Sequence, residues 1–235
     1  MGLANSLGHF LLLRFVGGVS SAFVLVLAST LILEQLSAAG RSNLSAFHFA
    51  GVGGVIALSA LITWAVAALG GGWGVITATF IVAIVRGSPE IRSIEPFVWL
   101  VVGLVAIPSV AAWSLLARRY GVTNAFELAC GVEAVGVVSS VVWISIPGLF
   151  VASVFLGGTF MGITALGLMA ARALSGEEPR RTLAIMTAAF GLGQIIGPVL
   201  AGYGSDLTGS FLLPSLMAAV ALCLSAILTV KVGRG

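Results

Sequence analysis

Apolar positions along this chain come in long runs, and polar ones gather in the short gaps between them. A run of about 20 apolar residues is what crosses roughly 30 Å of hydrocarbon as a helix rising 1.5 Å per residue. Runs of this kind cover Phe10 to Leu33, Phe49 to Leu69, Pro96 to Leu116, Asn124 to Ile144, Gly148 to Ala171, Leu183 to Tyr203 and Phe211 to Val230. They lack the short in-out alternation of a membrane strand. Backbone groups in lipid must find their partners within the chain, so each run predicts a helix. The pattern predicts an all-α integral membrane protein, a helical bundle of about seven spans plus a short extra helix.

The extra helix comes from the stretch between Phe47 and Arg86, which is apolar almost throughout and broken by Gly70, Gly71 and Gly72. It is too long for one crossing, and its second part, GWGVITATFIVAIVR, has the length of a half-helix or re-entrant piece.

Composition removes the soluble alternative. Charged residues make up 8% of the chain, against roughly 25% in an ordinary soluble domain, and the mean hydropathy is +1.17. The net charge of +3 does not indicate a nucleic-acid partner, because the basic residues sit in the gaps between spans. Arg118 and Arg119 occupy one gap, Arg172, Arg180 and Arg181 another, and Lys231 and Arg234 the tail. Two spans separate each group from the next, so all three share a side. The intervening gaps, SIPG and GSDLTGS, hold no basic residue. The lysine and arginine bias makes the basic side cytoplasmic and puts the C-terminus inside. A multi-pass protein of the cell membrane, of bacterial inner-membrane type, is expected, with the lipid bilayer as its first partner. Cys130 and Cys223 fall within spans and have neither disulfide-framework nor metal-ligand spacing, so no metal and no cofactor are predicted. The N-terminus lacks the positive region of a cleavable signal.

The chain repeats part of itself. RFVGGV from Arg14 and VFLGGT from Val154 share Phe and a Gly-Gly pair, and GVG from Gly51 matches GLG from Gly191 in the same register, 140 residues on. A same-direction repeat of helix pairs is a transporter architecture. If the copies run parallel, the gap holding Arg41 is cytoplasmic and the stretch from Phe47 to Arg86 crosses once, with the remainder re-entrant or displaced. Two full crossings there would make the copies antiparallel.

These residues resemble a known family. RFVGGVSSA (Arg14 to Ala22) resembles the arginine-and-glycine motif on the fourth helix of major facilitator transporters. SLLARRYG (Ser114 to Gly121) is similar to the loop motif between the eighth and ninth helices, with Ser114 in place of its first glycine and Arg118 in place of its aspartate. GQIIGPVLAG (Gly193 to Gly202) resembles the glycine-proline motif of the fifth helix, here on its repeat partner, the eleventh. With GYGSDLTGSF, the pattern is similar to the uncharacterised YbfB-like branch of that superfamily. The resemblance implies a partial bundle that starts at the fourth helix with a loss around the sixth. Residues 1–86 would be the remnant of the first half, fused to part of the seventh helix, and residues 87–235 the second half.

The resemblance implies a secondary active transporter moving a small organic solute by alternating access, with protons as a further partner. A non-transporting membrane remnant or helix-packing assembly partner is the alternative. An enzyme is not expected: no nucleophile-base pair or metal set is visible, and no residue is assigned a catalytic role. No residue pattern names the solute or an oligomeric partner.

Arg14 lies about five residues into its span, where it either snorkels to the interface or faces a polar cavity and an anionic group. Glu133 lies near the middle of its span with no basic residue within helical reach. It reads as a proton carrier or as a neutral, hydrogen-bonded carboxyl at a helix contact. Thr77, Thr79, Thr164 and Gln194 are further pathway candidates, although threonine also bonds its own helix. Gly17, Gly18, Ser21 and Ala22 have small-xxx-small spacing, as do Gly158 and Gly162, and this predicts close helix packing. Gly197 and Pro198 would bend their helix. With Gly193, Gly202, Arg118, Arg119 and Gly121, they complete the residues expected in gating or packing.

Overall fold

In a computed structural model, the described residues are 44–68, 94–174 and 179–233, with isolated positions between 16 and 41. The described residues form six helices and no strands: α1 (Ser45–Ala68), α2 (Glu95–Tyr120), α3 (Val122–Val142), α4 (Ile146–Leu174), α5 (Pro179–Thr208) and α6 (Leu212–Gly233). Each overlaps one of the expected spans, with ends within about five residues. The expected span from Phe10 to Leu33 and the short extra helix lie mostly or wholly outside the described residues. By length and composition, α2, α3, α4 and α6 can each cross a membrane.

Helix ends follow local chemistry. Glu95 and Pro96 open α2, where a carboxylate meets the positive end of the helix and proline gives up no needed N–H. Arg118 and Arg119 lie in its last turn, at the negative end. Gly121 then joins α2 to α3 alone: its N–H bonds Ala117 O (2.9 Å), and its carbonyl accepts from Ala125 N (3.1 Å). Its φ of 92° with ψ of 152° is a conformation that side-chain-bearing residues avoid. Pro108 interrupts the bonding of α2 without ending it, as neighbouring helices permit in membranes.

The helices pack in a row, α1 on α2, α2 on α4, α4 on α3 and α3 on α6, while α5 touches α4 and α6 more lightly. Helix α4 is central, with 50% of its span buried against 17% for α6. Lipid tails are as apolar as leucine, so these contacts depend on close fit rather than on escape from water. Small residues supply the fit. Gly53 of α1 meets the backbone of α2 at Gly103 and Ile107, Gly103 meets the backbone of Ala57, and Gly157 of α4 lies against the backbone of Val102. Phe49 of α1 packs with Val110 of α2, whereas Ala60 and Leu61 share a cavity wall with Pro96, Phe97 and Leu100. Contacts that advance along α1 therefore retreat along α2, and the two helices are antiparallel.

That direction bears on the parity of the first half. The start of α1 lies at the same end of the bundle as Arg118 and Arg119, and Ala68 and Ile94 both lie at the opposite end. Among the described residues of the stretch from Phe47 to Arg86, α1 is one crossing.

Candidate functional site

Glu133 sits midway along α3 and is 7% exposed. It faces α4, where Thr159 Oγ1 lies in hydrogen-bond contact with its Oε2. The same hydroxyl oxygen is 2.6 Å from the carbonyl oxygen of Phe155, one turn earlier on α4. Apolar surroundings complete the site. Gly136, one turn beyond Glu133, lets the Phe155 side chain lie against the backbone of α3, and Cys130, one turn before it, is buried. Cys130 lies within electrostatic reach of both Glu133 and Cys223 of α6. Among the described residues, no ion pair holds the carboxyl. Thr159 was not singled out in the sequence, because a threonine in an apolar run reads as one more helix-bonded hydroxyl; its 26-residue separation from Glu133 gives no local signal.

A second polar contact lies at the same level of α4. Trp113 Nε1 of α2 donates to the carbonyl of Gly158 on α4 at 2.6 Å, and its ring lies over Gly162. The spacing of Gly158 and Gly162 thus serves an aromatic seat, and the close backbone approach falls one residue earlier, at Gly157.

The other expected residues are dispersed. Thr164 donates to Phe160 O of its own helix at 3.1 Å. Arg118 and Arg119 are exposed, with the Arg119 guanidinium 5.4 Å from the centre of the neighbouring Tyr120 ring. Gly193, Gly197 and Gly202 lie on α5, where an added Cβ would meet no described atom. Gln194 and Pro198 also lie within α5, with side chains outside the described ones. Arg14, Gly17, Gly18, Thr77 and Thr79 lie outside the described residues. Of the expected pathway residues, only Glu133 meets another helix through a described polar contact. The cavity of about 100 Å³ between α1 and α2 is lined by Ala60, Leu61, Pro96, Phe97 and Leu100 and includes none of the candidates. Among the described residues, no group of three or more His, Cys, Asp or Glu could hold a metal ion.

Long apolar helices, several joined by short turns, with close glycine crossings and a carboxyl buried at mid-span, define a multi-pass helical membrane protein. The family described as the uncharacterised MFS-type transporter YbfB matches residues 1–74 and 69–230, and the chain belongs to it. It is therefore a member of a membrane transporter family. No curated protein and no solved structure matches the chain.

Proposed function

We propose that the protein is a secondary active transporter that moves a small organic solute by alternating access, coupled to protons. Membership of a transporter family across most of the chain is the observation that carries this reading. The antiparallel α1–α2 contact supports it, because a crossing built on glycine backbone lets two helices slide without moving bulky side chains. In this reading Arg14 faces the solute path, with Thr77, Thr79, Thr164 and Gln194 as further lining candidates. The basic ends of α2 and α4 and the C-terminus lie in the cytoplasm of a bacterial cell, as the arginine bias implies.

The test is solute-dependent proton flux into vesicles containing the purified protein, screened over small organic acids, amines and sugars. Flux that Arg14→Ala abolishes supports transport; a protein that inserts but carries no flux with any solute overturns it.

The match in two segments meeting at 69–74 favours a second reading, in which the chain is a non-transporting helix-packing protein. The meeting point includes Gly70, Gly71 and Gly72, where a loss within the first half would leave its joint. Frame-shifted codons for a further helix around Gly70 would support this reading, and solute-dependent flux would exclude it.

A further inference from the structure

We infer that Glu133 carries its proton and donates it to Thr159, making the α3–α4 contact a protonation-dependent tie. Thr159 Oγ1 has one proton and lies against two oxygens, Glu133 Oε2 and the Phe155 carbonyl. A carbonyl oxygen can only accept, so both bonds exist together only when the second proton comes from the carboxyl. Donation then runs from the Glu133 O–H to Thr159 Oγ1, and from the Thr159 O–H to Phe155 O. An ionised Glu133 would compete with Phe155 for the single hydroxyl proton. It would also place an anion among apolar side chains with one neutral partner, an arrangement low dielectric makes costly.

Among the described residues, the elements packed on α3 carry their cations at their ends and place none at mid-span. From Ile146 to Ala171, α4 has no ionisable side chain, and Arg172 stands near its far end. The charges of α2 are Glu95, Arg118 and Arg119, all at its ends. Helix α6 brings Cys223 along its length and Lys231 only in its last turn, and α3 itself adds Cys130 and Glu127. The neutralising partner at hand is a proton. With it, the two helices are tied at mid-span; without it, Thr159 turns back to its own helix and the tie is lost.

This tie holds or fails independently of transport, and infrared spectroscopy of the protein in lipid vesicles at neutral pH tests it directly. The wild-type spectrum should contain the carbonyl stretch of a protonated carboxyl that Glu133→Gln lacks. Thr159→Val should move that band upward, as an acid without its acceptor absorbs at higher frequency, and Thr159→Ser should leave it in place. Identical wild-type and Glu133→Gln spectra in this region would overturn the tie, as would a band that Thr159→Val does not move. Should Glu133→Gln fail to fold, the contrast between Thr159→Val and Thr159→Ser decides alone. A protein showing the band but no solute flux would lose the transport reading and keep the tie.

Discussion

Gly158 and Gly162 share a spacing but not a role, and substitution should separate them. A Cβ at Gly162 would fall on the Trp113 ring, with Cγ and Nε1 each 2.8 Å away, so Gly162→Ala must displace the indole. Overpacking of this kind costs about 1–3 kcal/mol. At Gly158 the nearest atom is Val105 Cγ1 at 3.6 Å, an ordinary contact, and Gly158→Ala should be close to neutral. Trp113→Phe keeps most of the ring but loses the bond to Gly158 O, for about 1 kcal/mol, the usual worth of an interhelical hydrogen bond in a membrane. Unfolding titrations in mixed micelles would rank the three; equal losses for the two glycines would refute the aromatic seat. Small-residue spacing was legible in the sequence. Which partner filled each gap was not, because that depends on how α2 and α4 cross.

At the level of elements, helix positions were legible because hydropathy and span length are local properties of the chain. The relative direction of α1 and α2 was not, since 25 residues separate Ala68 from Ile94 and their apolar run leaves the number of crossings open. It shows in pairs such as Phe49 with Val110. Cysteines placed at those two positions, with Cys130 and Cys223 replaced by alanine, should form a cross-link on mild oxidation. Cysteines at Phe49 and Val98 should not, and the reverse result would mean parallel helices. Close approach sets a second expectation. Gly103→Ala puts its Cβ on the Ala57 backbone, which cannot move aside as a side chain can, so a loss of about 1–3 kcal/mol is expected in the same titration. The internal repeat announced shared glycines but not shared surroundings: Gly53 is pressed against α2, whereas an added Cβ at Gly193 meets no described atom.

For the whole molecule, the helix order puts Arg118, Arg119, Arg172 and Arg181 at one end of the bundle. Ser145, Asp206 and Gly209 lie at the other. Cysteines introduced at Arg119 and Ser145 should therefore react with a membrane-impermeant maleimide from opposite sides of sealed vesicles. Labelling of both from one side would break the assigned helix order. That the basic gaps share one end was legible because charge is costly to bury and so marks the gaps. Glu133 was equally visible, as a carboxyl amid apolar residues, but its partner came only from the packing of α3 on α4.

The single-residue joint at Gly121 constrains how such a bundle can move. Because that glycine ends α2 and starts α3 with bonds on both sides, there is no slack in which one helix could swing alone. Any displacement of the basic end of α2 is passed to the start of α3 as through a crank. That end of the bundle should then shift as a block, and bending must be taken up elsewhere along its length.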